Sequence, residues 1–357
     1  MTKVSPANDT NTIIAGRTQR AVQLVWVVVV LTVIVLLMVG LPALQRQLST
    51  ICDTSNIICE ELGRPTGEQA RQLMSAGFSL DLYATFIVAA EFLMLAVWIS
   101  TGAIIFLLRR NDWMAILVSL MLIVFSSATF ISGAFSAAAA DYPVLSVPIA
   151  LLSILGELLI AAFFLLFPNG RPIPRWLWWI IPFRGAAAAL DYIPAFNHLP
   201  QAEIISTILL LPIVALFIGV QVYRYRRYST QRERYQTRWV VFGVVIGLGT
   251  FVVLAIVTMV TGFWQSIWSI LVWTFMNIIA TIIPITFAIA ILRANLWDID
   301  VVIRRTTVYA SLSALLALVY FGCVVVLQRL LSPFTGESTP AVVLSTLLIA
   351  ALFLTLR

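Results

Sequence analysis

Two acidic residues and one arginine lie well inside long apolar runs of this chain, where they could take part in proton or ligand chemistry. They are Glu91, Glu157 and Arg184. Arg184 lies in the apolar run that follows the run of Glu157. Ionisable groups are costly in lipid and usually face the interior of a helix bundle. We therefore predict a proton- or ligand-responsive acid pair with Arg184 as its partner. The alternative is structural, with protonated glutamic acids hydrogen-bonded to Ser153, Asn277 or a backbone carbonyl.

The same search finds no complete catalytic or metal site. His198 is the only histidine, so neither a histidine-based metal cluster nor a Ser/His/Asp arrangement can be assembled. No phosphate-binding glycine loop of the Walker type is present. We expect no enzymatic activity and no cofactor in this chain. Because the basic residues form short separate clusters, no nucleic-acid partner is expected.

Membrane-spanning helices are the elements that must position the three ionisable residues. The chain is 61% hydrophobic and 11% charged, a balance that a single water-soluble core could not hide. Backbone groups in lipid must be paired within their own segment, which favours helices. Windows of about 20 residues predict an all-α polytopic bundle of about ten transmembrane helices. The predicted spans are Val22 to Leu44, Asp81 to Leu108, Trp113 to Ala137, Pro148 to Phe167, Trp176 to Phe196, Ile204 to Tyr223, Val240 to Thr261, Ile267 to Leu292, Val308 to Leu330 and Ala341 to Leu356.

The basic residues predict the orientation. If the N-terminal tail (1–21) is cytoplasmic, only Arg46, Arg64, Arg71 and Arg329 of the arginines outside the spans face outward. The positive-inside rule then places both termini in the cytoplasm and makes 22–357 one multi-span domain. Its cytoplasmic parts include a basic loop, 224–238, and a juxtamembrane elbow, 293–307. The tryptophans beside basic residues are predicted to anchor the span ends at the membrane surface: Trp176, Trp178, Trp179, Trp239 and Trp297.

The longest extracytoplasmic segment, 45–80, carries two cysteines. Cys52 and Cys59 would face an oxidising compartment, and closing their ring would stabilise the segment by about 2.5 kcal/mol. Free thiols are the alternative. Thr66 and Gln69 have the spacing of a capping box and Gly77 that of a helix stop, so a short helix is predicted here.

Four motifs occur in order along the chain: ELGRPTGEQARQLMSAGFSLDLYA (61–84), FPNGRPIPRW (167–176), QTRWVVFG (236–243) and ILRANLWDIDVVIRRTTVYASLSALLALVYFG (291–322). This pattern resembles the multi-span N-terminal sensor regions of bacterial two-component sensor histidine kinases. The chain departs from that pattern at Asn169, Ala294 and Asn295. The resemblance implies a multi-pass protein of the bacterial cytoplasmic membrane, surrounded by lipid, that acts on a cytoplasmic kinase or response-regulator pathway. It also implies a homodimer in a full-length kinase, whose catalytic core is absent from this chain.

The predicted elbow contains Trp297, Asp298, Asp300, Arg304 and Arg305. Asp298 can cap the following helix, and Asp300 and Arg304 have i,i+4 spacing. The elbow could transmit a helix shift to an attached kinase. The alternative is a topological anchor whose arginines meet anionic lipid.

Three functions remain open from the sequence. The first is a sensory or signal-transducing membrane module, favoured by the motif order and by the lack of catalytic residues. The second is a transporter or channel, for which the intramembrane acids and the prolines Pro212 and Pro284, predicted to kink their helices, give general support. The third is a structural or assembly module that recruits partners through helix packing and through the basic loop, 224–238. Gly243 and Gly247 have a spacing that permits close helix contact, which in a bundle of ten helices is more often internal packing than dimerisation.

Overall fold

The computed structural model describes residues 13–52, 64–168, 170–172, 174–192, 202–261 and 269–292, and every regular element in these ranges is helical. The α-helices are α1 (Gly16–Leu48), α2 (Gly67–Ser75), α3 (Leu80–Arg109), α4 (Trp113–Phe125), α5 (Gly133–Asp141), α6 (Ser146–Leu166), α7 (Ile180–Leu190), α8 (Ala202–Arg227), α9 (Gln231–Thr261), α10 (Ser269–Ala280) and α11 (Ile282–Leu292). A π-helical turn follows α4 (Ser126–Phe130), and 3-10 turns precede α6 (Pro143–Leu145) and α7 (Arg175–Trp179).

Five described helical segments are long and apolar enough to cross a membrane: Gly16–Leu48, Leu80–Arg109, Trp113–Phe130, Pro143–Leu166 and Thr274–Leu292. The helical, membrane-embedded character predicted from composition is confirmed for this part of the chain. The last two predicted spans and the elbow, 293–307, lie outside the described residues. The count of ten spans therefore stays a prediction.

Contacts between helix ends define two faces of the bundle. At one end the backbone N–H of Ile14 donates to the carbonyl of Asn111 at 2.8 Å, and Trp113 lies against Gly170. We call this end the arginine face (residues 13–20, 109–113, 167–168, 170–172, 174–176 and 224–238). The opposite end, the cysteine face (residues 45–52, 64–83 and 141–146), carries the buried cluster that contains Leu48 and Leu73. The assignment of the arginine face to the cytosol stays a prediction.

A buried hydrogen-bond chain joins α1, α3 and α4 in the half nearer the arginine face. The indole N–H of Trp26 donates to the hydroxyl of Ser119 at 2.9 Å, and that hydroxyl donates to the carbonyl of Gly102 at 2.7 Å. Trp26 also stacks on Phe106, with ring centroids 3.8 Å apart. A β-carbon at Gly102 would lie 2.7 Å from the side chain of Ile123, so the two helices are in close contact there. This half of the bundle is tightly packed.

The third predicted span, Trp113 to Ala137, is not one continuous helix. Helix α4 ends at Phe125, the π-helical turn follows, and Ile131 leaves helical geometry (φ −120°, ψ 70°) before α5 begins at Gly133. The hydroxyls of Ser126 and Ser127 accompany the change, because both donate to the carbonyl of Ile123, at 3.1 and 2.8 Å. Such bonds from serine to the preceding turn bend helices. A window average over apolar residues does not detect this local competition.

The predicted basic loop, 224–238, is mostly helical, so the loop prediction was wrong. Helix α8 continues to Arg227 and α9 begins at Gln231, leaving a short turn between them. Thr230 and Glu233 form a reciprocal cap. The N–H of Thr230 donates to the Glu233 carboxylate at 2.7 Å, and the N–H of Glu233 donates to the Thr230 hydroxyl at 3.4 Å. The T-x-x-E spacing is the usual sequence sign of this cap. Here it indicates a helix start in a segment whose high charge had suggested a loop.

The eighth predicted span, Ile267 to Leu292, contains a break at Thr281 between α10 and α11. Pro284 accounts for the break because its ring conflicts with the carbonyl four residues earlier. Pro212, the other proline predicted to kink its helix, does not interrupt it, because α8 runs continuously from Ala202 to Arg227. Gly243 and Gly247 of α9 face Thr286 and Ile283 of α11 closely. That glycine spacing is therefore used for packing inside the chain.

The tryptophans predicted as surface anchors divide into two groups. Trp176, Trp178 and Trp179 are exposed. Trp239 is buried and packs edge-on against Phe242, so its assignment as an anchor was wrong. Trp239 lies eight residues inside α9, which begins at Gln231, so the sequence placed the start of this helix too late.

Candidate intramembrane site

Glu91 of α3 caps the half-helix α5 from a neighbouring helix. Its carboxylate oxygen Oε1 accepts a hydrogen bond from the backbone N–H of Ala134 at 2.8 Å, and the residue is 7% exposed. The first N–H groups of a helix lack partners within the helix and favour negative charge. Ser132, at the position that normally supplies a cap, gives no side-chain bond. Glu91 therefore supplies the acceptor that the local sequence does not provide.

Gly133 makes this approach possible. A β-carbon at Gly133 would lie 2.6 Å from Oε2 of Glu91 and 3.3 Å from Oε1, closer than non-bonded atoms tolerate. The next contact along α5 is equally tight, since Gly40 of α1 lies against the backbone carbonyl of Ala134. Glycines on two elements thus allow the start of α5 to fit between α1 and α3.

The π-helical turn is hydrogen-bonded to α6. The hydroxyl of Ser153 donates to the carbonyl of Ala128 at 3.0 Å, which satisfies a backbone acceptor beside the interruption. Thr129 lies against Gly156, where a β-carbon would be 3.0 Å from the Thr129 hydroxyl oxygen. Ser153 therefore supports the interrupted backbone, whereas the sequence had suggested it as a partner of a glutamic acid.

Glu157 and Arg184 form an ion pair between α6 and α7. A guanidinium nitrogen of Arg184 lies 2.8 Å from Oε2 of Glu157, and the two side chains are 16% and 15% exposed. Glu157 is nine residues before the end of α6 at Leu166, so it lies about 13 Å from the arginine face. The chain between Arg175 and Arg184 must reach the same depth. Gly185 assists, since a β-carbon there would lie 2.6 Å from Leu158.

The structure brings together only part of the predicted acid pair. Glu157 and Arg184 pair as the sequence suggested, while Glu91 has a separate environment at the start of α5. The predicted grouping of all three residues is therefore not what the structure shows. The reason is the interruption of the third segment, which gives Glu91 a backbone amide as its partner.

The far end of α5 is attached to the cysteine face. Asp141 pairs with Arg46 at 2.8 Å and accepts a hydrogen bond from Gln47 at 2.9 Å. The hydrogen bond from the Arg46 guanidinium lowers the pKa of Asp141 below its ordinary value. Ala137 of α5 and Leu73 of α2 belong to one buried cluster with the end of α1. Helix α5 thus connects the cysteine-face helix α2 with the Glu91 carboxylate.

The cysteine-face helix has the predicted ends. The hydroxyl of Thr66 accepts from the N–H of Gln69 at 3.3 Å, and the Gln69 side chain accepts from the N–H of Thr66 at 3.0 Å. Gly77 adopts a positive φ of 85° just after the helix. Cys52 is disulfide-bonded, and its N–H donates to the carbonyl of Pro65 at 3.0 Å. Cys59 lies outside the described residues, so the pairing with Cys59 stays a prediction.

Arg224 is a buried residue that sequence reasoning placed in a solvated loop. It is 2% exposed, and its guanidinium donates to the carbonyls of Leu165 at 2.6 Å and Leu166 at 3.3 Å. Gln221, one turn earlier, donates to the carbonyl of Phe164 at 2.6 Å. A cation at the carboxyl end of a helix is favourable. These contacts place the C-terminal ends of α6 and α8 on the same face.

The remaining predicted site residues and catalytic possibilities can be stated briefly. The elbow residues Trp297, Asp298, Asp300, Arg304 and Arg305 lie outside the described residues. Among the residues that the structure describes, no group of three His, Cys, Asp or Glu side chains could hold a metal ion. No family model matches the chain. Comparisons with curated proteins and with solved structures also find no match.

Proposed function

We propose that this chain is a membrane-embedded sensory or signal-transducing module, in which movement of α5 relays a change at the cysteine face to the bundle interior. One observation carries the proposal: the third segment is interrupted, and its second half is a separate helix held at both ends. In this role the chain resembles the input domain of a histidine kinase. It would pass an extracytoplasmic or intramembrane stimulus to a cytoplasmic output.

The attachments of α5 are unequal, which suits a movable part. Near the centre of the bundle, the described polar attachment is the bond between Glu91 and the N–H of Ala134. An intramolecular hydrogen bond contributes about 0.5–1.5 kcal/mol, and about 1.5–3 kcal/mol where one partner is charged. Coupling energies between two sites in a protein are also about 1–3 kcal/mol. A stimulus of ordinary strength at the cysteine face could therefore break or strengthen this attachment.

Polar contacts hold the helices of the other half of the bundle together. The chain of bonds from Trp26 through Ser119 to Gly102 holds α1, α3 and α4 together. The pair of Glu157 and Arg184 fixes α7 against α6 at a similar depth. A displacement of α5 would thus be guided along a rigid frame.

The setting of this module follows from the resemblance and from charge placement. We assign it to a bacterial cytoplasmic membrane, with lipid as its surroundings and a cytoplasmic kinase or response-regulator pathway as its output. A homodimer is expected where a kinase core is attached. The chain itself would not be an enzyme.

A transporter or channel is the second candidate, and one observation favours it. Both the third segment and the helix pair α10 and α11 are interrupted, and α5 begins with its N-terminus inside the bundle. Discontinuous helices of this kind build substrate and ion sites in many transporters. The assembly module gains no support from Gly243 and Gly247, because both pack internally on α11.

The test replaces the first residue of α5 with alanine in the full chain, joined at its C-terminal end to a soluble histidine-kinase core and placed in lipid nanodiscs. Gly133→Ala forces a methyl group against the Glu91 carboxylate. The control is Gly67→Ala, because Gly67 also begins a nine-residue helix and has no atom within 4 Å of an added β-carbon. We expect the first variant to change autophosphorylation at least about threefold, in line with ordinary coupling energies, and the control to leave it unchanged.

Equal autophosphorylation in the parent chimera and both variants would contradict the proposal. Proteoliposomes of the chain without the kinase core provide the second readout. Signalling predicts no proton flux beyond that of protein-free vesicles. Flux that disappears in Glu91→Gln would favour the transporter instead.

A further inference from the structure

A cleft on the arginine face is independent of the Glu91 site. It has a volume of about 510 Å³ and is lined by Arg171, Pro172, Pro174, Arg175 and Trp178. These residues belong to the segment that leaves α6 and enters α7 through a 3-10 turn. The volume falls within the range of about 300–1,000 Å³ typical of small-ligand sites.

The chemistry of the cleft favours an anion. Both arginines are exposed, so their guanidinium groups lie at the surface of the cleft. Guanidinium groups present planar donor pairs that match phosphate oxygens. The two prolines restrict the backbone between the arginines, so less order has to be gained when a ligand binds.

The position of the cleft indicates that its ligand belongs to the membrane. Trp176, Trp178 and Trp179 are 60%, 49% and 78% exposed, and Leu177 between them is fully buried. One buried side chain therefore fixes a turn whose indoles all project from the bundle. Exposed tryptophans at a span end lie at the level of lipid headgroups. A phosphate bound by the arginines would then have its acyl chains beside the indoles.

We propose that this cleft binds the phosphodiester headgroup of an anionic phospholipid, with Arg171 and Arg175 contacting the phosphate and Trp178 packing against the glycerol region. The site does not depend on the proposed signalling role. It is also distinct from general attraction between a basic surface and an anionic leaflet, which needs no cleft.

Native mass spectrometry of the full chain in detergent tests the site with two lipids, phosphatidylglycerol and phosphatidylcholine. The variant is Arg171→Gln with Arg175→Gln. The matched control is Arg226→Gln with Arg227→Gln, which removes two exposed arginines from the same face outside the cleft. We expect the parent chain to bind phosphatidylglycerol more tightly than phosphatidylcholine. The cleft variant should lose about tenfold in affinity for phosphatidylglycerol, because it loses charged bidentate contacts. The control variant should keep the affinity of the parent chain. Equal losses in both variants, or no preference in the parent chain, would overturn the proposal.

Two further measurements identify the source of the phosphate and allow for a variant that does not fold. Inorganic phosphate at millimolar concentration should not displace the lipid, and full displacement would show a free-anion site instead. A photoactivatable phosphatidylglycerol should crosslink within residues 171–178 of the unmodified chain. Crosslinks that avoid this segment would contradict the proposed site without any substitution.

Discussion

Replacement of Arg224 with methionine should destabilise the bundle far more than its place among exposed arginines suggests. The short bond to the Leu165 carbonyl, at 2.6 Å, is worth about 1.5–3 kcal/mol because its donor is charged. The favourable position of a cation at the end of α6 adds about 1 kcal/mol. The longer contact with Leu166, at 3.3 Å, adds less. We expect Arg224→Met to lower the free energy of unfolding by about 3 kcal/mol in all.

The assay is reversible unfolding by SDS in mixed micelles, followed by tryptophan fluorescence. Arg226→Met is the control, because Arg226 is exposed on the same helix, and it should change the free energy of unfolding by about 0.5 kcal/mol or less. Arg224→Lys keeps the charge but not the two-pronged donor, so its loss should be intermediate. Equal stabilities for Arg224→Met and Arg226→Met would refute the assignment of Arg224 as a buried cap of α6.

Three other sets of substitutions test separate contacts. Gly243→Ala should lower the free energy of unfolding by about 1–3 kcal/mol in the same assay, because its methyl group meets Thr286. Gly249→Ala, which has open space around the added β-carbon, should be neutral or slightly stabilising. Equal effects of the two variants would show that Gly243 is not in close contact with Thr286. Glu157→Gln should lower the free energy of unfolding by about 3 kcal/mol, because it leaves Arg184 without its counter-ion. Glu157→Leu combined with Arg184→Leu should recover most of that loss. A double variant as unstable as Glu157→Gln would contradict the importance of this ion pair. The pKa of Asp141 is lower in the folded chain than in the unfolded chain, so its stabilisation is present above about pH 4 and is lost as the pH falls; Arg46→Gln should reduce this acid-dependent loss, and an unchanged pH profile would show that the pair contributes nothing.

Local signals in the sequence predicted local structure well. The spacing of Thr66 and Gln69 predicted the reciprocal cap of α2, and Gly77 predicted its end. The ends of α3 differ from the predicted span by one residue each, since Leu80 and Arg109 flank Asp81 and Leu108. These features depend on residues that are only a few positions apart, so they can be read from the sequence without knowledge of the fold.

Features that depend on contacts between distant residues were not predictable in the same way. The cap of α5 comes from Glu91, 43 residues before its partner Ala134. The burial of Arg224 depends on carbonyls more than 50 residues earlier. The break before Gly133 had a weak signal, a serine and a glycine within an apolar run, but hydropathy averages hide it. Pairing of Glu157 with Arg184 was predictable because both lie in adjacent apolar runs, where an unpaired charge is costly.

Hydrogen exchange of the full chain in nanodiscs tests the interrupted third segment and its Glu91 cap most directly. We expect peptides covering residues 133–141 to exchange faster than peptides covering residues 113–125. Glu91→Leu should accelerate exchange in residues 133–141 and in residues 67–75, while residues 113–125 stay protected. Equally slow exchange from 113 to 141 that Glu91→Leu does not alter would show an uninterrupted helix and rule out the proposed cap.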